Sequence, residues 1–332
     1  MDELQLLSDV LRQADDKLHD GVNAAARVWP TGFDTLDTYL SGGLRSGELT
    51  LLGGPQGLGK TTFALQIIRN AAAAGEAAIY FSYEHDSSTL LERLIAIEAA
   101  EVSGIEAVSL RRIRETLEAS DGRSGGLEER LSNTVGGSEA VRAVQSYAHR
   151  LLLHRSSGTE TSIYTIRHVI DQARVTTGRP PIVVVDYLQK VFVPGGSEIE
   201  EERVTKIVEG LKDLALEIEV PVLAVVAADK EGLVAGRRLR VHNLRGSSAL
   251  AYEADIVLIM NDKYDVVARH HLVYDVGNAE RFRNWAVLTI EKNRSGLDKI
   301  DLEFRKRFEQ GRFETDGNAV AEQLVDERVY VE

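Results

Sequence analysis

A loop of eight residues constrains this chain more than any other feature. Between the apolar run "LTLLGG", residues 49–54, and the helix-forming run "TTFALQIIRNAAAAG" lies Gly54-Pro-Gln-Gly-Leu-Gly59-Lys60-Thr61. The spacing is G-x-x-x-x-G-K-[ST], and it falls between a strand and a helix, the one context in which such a loop works. Its glycines let backbone N–H groups converge on phosphate oxygens at a helix N-terminus, Lys60 adds a point charge, and the Thr61 hydroxyl can hold magnesium. Gly54, Gln56, Gly57, Leu58, Gly59, Lys60, Thr61 and Thr62 are therefore expected around a nucleoside triphosphate, ATP, with Mg2+. A strand before the loop and a helix after it commit the chain to an α/β fold.

The rest of the sequence keeps that alternation. "AAIYFSYEH" reads as a second strand and "STLLERLIAIEAA" as a helix opened by Ser87 or Ser88. "RLLLHRS" reads as a strand, "SIYTIRHVIDQARVTTG" as a helix, and "PIVVVDYLQ", "VPVLAVVAA" and "ADIVLIM" as buried strands, so the sheet is expected to be parallel with both faces covered. Residues 120–140 hold five glycines in a polar background and predict a mobile loop. "HHLVYDV" and "NWAVLTIEKN" predict a closing antiparallel pair. Two carboxylates fall at strand ends facing the loop. Asp186, after four apolar residues, is expected as the second anchor for magnesium, and Glu84 as the base that activates water.

Composition bounds the remainder. The chain has 332 residues, 43% of them hydrophobic, which is enough for a substantial core. The net charge of −13 argues against a simple basic nucleic-acid-binding domain, although an acidic exterior is compatible with one basic inner surface. There is no cysteine, hence no disulfide or thiolate metal site, and no run of about 18 apolar residues that would span a bilayer. A soluble, cytoplasmic protein without membrane contact is the expectation. Leu4, Leu7, Leu11, Ala14 and Leu18 recur at helical spacing, and this amphipathic helix can pack on its own domain or on a neighbouring subunit.

The ordered blocks "PTGFDTLDTYLSGGLRSGELTLLGGPQGLGKTTFALQ", "IYFSYEH", "IVVVDYLQ", "LRGSSALAYEADIVLIM" and "EKNRSG" resemble the motor domain of DnaB-type replicative helicases, over about residues 28–315. RadA-type and KaiC-like ATPases share parts of the pattern. The resemblance implies a RecA-like P-loop ATPase fold with a mostly parallel central sheet, flanking helices and an antiparallel C-terminal extension. It divides the chain into a linker helix and connector (1–27), the motor (28–315) and a tail (316–332). It also implies a closed ring, most simply a hexamer, in which Lys292 and Arg294 of one subunit complete the ATP site of the next, with the N-terminal helix docked on the neighbour. With fewer than 30 residues ahead of the matched segment, the reading is of the motor alone, without the collar domain that meets primase in the family.

Three departures separate this chain from the family pattern. A glutamine that senses the terminal phosphate is usual where alignment on "VPV" places Ala227. Glu198, Glu200, Glu201 and Glu202 stand in or beside a loop expected to face the channel, where carboxylates repel a phosphate backbone. Against them, Arg237, Arg238, Arg240 and Arg245 cluster in the loop that RecA-like motors turn toward nucleic acid. Two functions follow as expectations: an ATP-driven helicase or translocase on single-stranded DNA, and an ATP-gated regulatory or assembly ring, closer in use to KaiC-like proteins, with a replication or regulatory protein as partner.

Overall fold

Strands built almost wholly from aliphatic residues cannot have a wet face. In the computed structural model, which describes residues 4–21, 24–119, 124–230, 232, 234, 236–273 and 276–327, they are buried on both sides. The strands are β1 (Val28–Trp29), β2 (Leu44–Arg45), β3 (Leu49–Gly54), β4 (Ala78–Ser82), β5 (Leu151–Arg155), β6 (Ile182–Asp186), β7 (Val222–Ala227), β8 (Ile256–Asp262), β9 (Trp285–Asn293), β10 (Ile300–Arg307), β11 (Arg312–Phe313) and β12 (Asn318–Ala319). β1 and β2 form a small antiparallel pair; the others form one sheet in the order β11-β10-β9-β8-β3-β7-β6-β4-β5, with β12 added beside β10. From β5 to β8 all neighbours are parallel, and from β8 to β12 all are antiparallel. The expected mixed sheet is what forms.

The helices follow the same logic. They are α1 (Leu7–His19), α2 (Asp34–Tyr39), α3 (Lys60–Ala73), α4 (Ser87–Ser103), α5 (Leu110–Glu118), α6 (Leu127–Leu131), α7 (Gly137–Tyr147), α8 (Ile163–Thr177), α9 (Glu200–Glu217), α10 (Ala249–Glu253), α11 (Lys263–Val266), α12 (His270–Val273) and α13 (Val276–Arg283). α3 covers one face of the sheet, joined by Trp29, Phe33 and the C-terminal strands, whereas α8 and α9 cover the other. α4 to α7 close over a smaller cluster of their own that includes Ile95, Ile113, Leu131 and Val141. Phe63 in α3 stacks on Phe33 at 4.2 Å between centroids and meets Phe304 and Phe313 edge-on, so the loop helix is bolted to the antiparallel extension.

Several expectations change. α4 is capped by Asp86, whose carboxylate accepts the Thr89 N–H, and not by Ser87 or Ser88. The segment expected to be a loop contains α6 and the start of α7, because Leu131, Ala140 and Val141 bury on the small cluster; residues 120–123 lie outside the described residues. Residues 270–273, the start of "HHLVYDV", are helical. The hairpin partner of β9 is instead β10, whose Leu302 and Phe304 bury inward while charged Asp301, Glu303 and Arg305 beside them obscure the alternation. Glu198 lies in the loop after β6, and Glu200, Glu201 and Glu202 stand beside it as the first turn of α9, where carboxylates complement the helix dipole. Residues 318–326 pack on the sheet and its flanking helices: β12 pairs with β10, Val325 N–H donates to Val266 O, and Arg238 N–H donates to Asp326 O. α1 buries no residue, with Leu7 73% and Leu11 60% exposed. Among the described residues no helix is long and apolar enough to cross a membrane.

Candidate active site

The parallel part of the sheet places the ends of β3, β4, β6 and β7 around one crevice of about 580 Å³. β3 runs into the glycine loop at Gly54. Gly57 has φ +80° with open space around it, so the turn itself selects glycine there. Gly59, φ +92°, is doubly constrained, since a Cβ would lie 2.9 Å from the Phe308 ring and 3.0 Å from Phe313. Gly59 also stands at the N-cap of α3 with no side chain capping the helix, so its leading N–H groups open onto the cleft. That is an anion-binding end.

Lys60 folds over this loop, its Nζ donating to Gly54 O at 2.8 Å and Pro55 O at 2.9 Å. Burial holds its pKa below the usual lysine range, against the pull of Asp186 and Glu84. Thr61 Oγ1 donates to Asp186 Oδ2 at 2.7 Å, and Tyr80 OH donates to the same oxygen at 2.6 Å. Asp186 is 2% exposed at the end of β6. Burial, with Asp186 beside it, keeps the Tyr80 hydroxyl protonated far above its ordinary range. A hydroxyl and a buried carboxylate in contact at the foot of a phosphate loop are a hard-oxygen donor set that fits Mg2+. Glu84 lies across the cleft on the turn after β4, a turn closed by Ser82 Oγ donating to His85 O and accepting the His85 N–H. Its exposed carboxylate makes no ion pair among the described residues.

Gln56, Gly57 and Thr62 also line the cleft, whereas the Leu58 side chain, 6% exposed, turns into the core and contributes only backbone. Sequence reasoning missed Arg93. It projects from α4 into the cleft, where NH1 donates to Thr62 Oγ1 at 3.4 Å and burial lowers its pKa. The available signal was a charged residue inside the apolar run "LLERLIAI". Tyr187, Phe308 and Gly311 line the same space. Ala227 does end β7 beside the loop, in register with Gly54, and presents only a methyl group.

Lys292 and Arg294 are not brought to this cleft. β9 is antiparallel, so its end pairs with the start of β8, at the opposite end of the strands. The six residues of β3 separate that end from the loop by about 17 Å. There the two side chains converge: Lys292 Nζ donates to Ala251 O (2.8 Å) and Tyr252 O (3.1 Å), and Arg294 NH1 reaches Asp255 Oδ1 at 3.2 Å. Burial, then the neighbouring Arg294 charge, lowers the Lys292 pKa.

The arginine cluster divides. Arg238 is 6% exposed and spends its guanidinium on Thr289 and Asp301, and Arg240 is bound to Glu291 at 2.7 Å and to Asp326. Both are withdrawn from the nucleic-acid expectation, because their charges are neutralised inside the fold. Arg237 is exposed, and Arg245, 53% exposed at the side chain, lines the cleft and pairs with Glu200.

Comparison with known proteins agrees with this architecture. Residues 29–314 match the family described as DnaB-like helicase C terminal domain. The Replicative DNA helicase DnaB of Pasteurella multocida is 26% identical over 313 residues, covering 93% of this chain and 58% of the relative. That of Haemophilus influenzae is 27% identical over 304 residues, covering 90% and 57%. The chain thus spans a little over half the length of these curated relatives. Among solved structures, one described as an ATPase domain superposes with a TM-score of 0.73 at 20% identity, covering 94% of this chain and 99% of that one. A DnaB-like replicative helicase, studied with its interactions with primase, gives 0.70 at 19% identity, covering 93% and 68%. The fold is accordingly RecA-like. With the phosphate loop, the strand-end carboxylates and the family match in agreement, this chain belongs to the DnaB-like helicase C-terminal domain family.

Proposed function

We propose that the chain is the ATP-hydrolysing motor of a DnaB-like ring, acting as a helicase or translocase on single-stranded DNA. The observation that carries the hydrolytic part is the Thr61–Asp186 contact at the foot of the uncapped α3, facing Glu84. The α3 N-terminus and Lys60 hold the β- and γ-phosphates, and Arg93 adds charge from the α4 side. Thr61 and Asp186 would hold Mg2+, which would supply neutralisation of the charge that builds on the phosphate oxygens. Glu84 orients a water and takes its proton. Replacing Lys60 with alanine should abolish nucleotide binding, while Glu84→Gln should bind nucleotide and not turn it over. Normal hydrolysis by Glu84→Gln would remove the base from its role.

The position of Lys292 and Arg294 supports a ring. They lie too far from their own cleft to serve it, at the far end of the strands where a second copy can meet them, and α1 separately offers an unburied apolar stripe. A hexamer is the proposed state, with a cytoplasmic place of action. DNA is proposed to meet the exposed Arg237, whereas Arg245 opens into the nucleotide cleft.

A second reading, a regulatory ring that changes protein partners and does not move DNA, is favoured by one observation: Ala227 offers no side chain to link a terminal phosphate to the loops beyond β7. ATPase rates with and without single-stranded DNA across a salt series separate the two. Stimulation that fades with salt supports the helicase, and DNA-independent turnover with no binding at low salt supports the regulatory ring.

A further inference from the structure

At the mouth of the cleft, Arg245 is fixed by its own backbone. Its N–H donates to Ala227 O at 2.9 Å, and its carbonyl accepts from Gln189 Nε2 at 2.9 Å. The other end of the same amide, Gln189 Oε1, accepts the Ala227 N–H at 3.2 Å. One glutamine therefore ties the turn after Asp186 to the end of β7 and to the loop before α10. The Arg245 guanidinium, which lines the cleft, is gripped by Glu200: Nε lies 2.8 Å from Oε1, and NH2 donates to Oε2 at 3.1 Å. Glu200 is the first residue of α9, immediately after the exposed Glu198-Ile199 segment.

The geometry points to Arg245 as a terminal-phosphate contact of this nucleotide site, one that releases Glu200 and takes the γ-phosphate when ATP is bound. The two partners compete for a single fork of donors. Glu200 offers one negative charge in a half-exposed pair that solvent screens. A γ-phosphate offers more charge and a matching bidentate face, within a cleft that already attracts it. The exchange is selective for Arg245. Arg238 and Arg240 each hold a carboxylate from β9 or β10, whereas the partner of Arg245 opens a helix whose preceding segment is free of the sheet. Ala227, the residue that ends β7, reaches nothing. The contact would give the first turn of α9 a means of responding to ATP but not ADP, through Arg245 in place of a side chain on β7.

This inference rests on the cleft being the nucleotide site, and its test separates the two. Equilibrium binding of a non-hydrolysable ATP analogue and of ADP is measured with magnesium on the full chain. Arg245→Ala should weaken the analogue about tenfold or more, the loss of a hydrogen bond to a charged group, and leave ADP unchanged. Glu200→Gln should tighten the analogue about two- to fivefold, again with ADP unchanged. The double variant should behave as Arg245→Ala, because Glu200 acts only through Arg245. Arg245→Gln keeps the backbone bonds and serves if the alanine variant does not fold. Equal effects on analogue and ADP, or a Glu200→Gln protein with wild-type analogue affinity, would overturn the exchange. Wild-type binding of both nucleotides by Lys60→Ala would instead overturn the cleft assignment itself.

Discussion

Lys60 shows how the site costs the empty protein stability. Its ammonium is buried and its pKa is held below the lysine value of 10.5. The unfolded chain therefore keeps the proton to a higher pH than the folded one. Stability contributed at this position is lowest below the folded pKa and rises as pH climbs toward 10.5, above which both states have lost the proton. Lys60→Met should accordingly make the nucleotide-free protein more stable to urea at about pH 7 while removing ATP binding, with the gain shrinking above about pH 10. A less stable Lys60→Met protein would contradict this. The positions at this scale were largely legible: the loop, Asp186 and Glu84 were each marked by a motif or a strand end, and they line one cleft. Arg93 was not, because a helix is read by its apolar face and a charge within it looks like a solvated interruption. Nor was the commitment of Arg238 and Arg240, whose carboxylate partners lie 51 to 86 residues along the chain.

At the scale of elements, α3 carries the loop, and its orientation depends on the ring cluster of Phe33, Phe63, Phe304 and Phe313. Phe63 is fully buried at its centre. Phe63→Ala should cost about 3–5 kcal/mol in urea unfolding, the range for deleting a buried ring, and should weaken nucleotide binding as α3 loses its purchase on β10 and β11. A loss below about 1 kcal/mol would mean that the extension does not brace the loop helix. The parallel strands were readable because a strand covered on both faces is a continuous apolar run. The antiparallel edge was harder. β10 alternates buried Leu302 and Phe304 with charged neighbours, and "HHLVYDV" offered a stronger apolar pattern that helical contacts override.

In the proposed ring, each molecule contributes halves to two sites. One end of the parallel strands carries the phosphate loop, Asp186 and Glu84; the opposite end carries Lys292 and Arg294, the latter held by Asp255, itself bound to Lys212 and to the Leu49 N–H. No movement within one chain brings these ends together, because the rigid length of β3 lies between them. The central claim is that catalysis occurs between copies, and mixing two inactive variants tests it. Glu84→Gln lacks the base but keeps Arg294, and Arg294→Ala keeps the base but lacks the finger. Each alone should hydrolyse ATP poorly, and an equimolar mixture should recover turnover at the interfaces that pair a good base with a good finger. A mixture no faster than its parents, or an Arg294→Ala protein as active as wild type, would contradict the account.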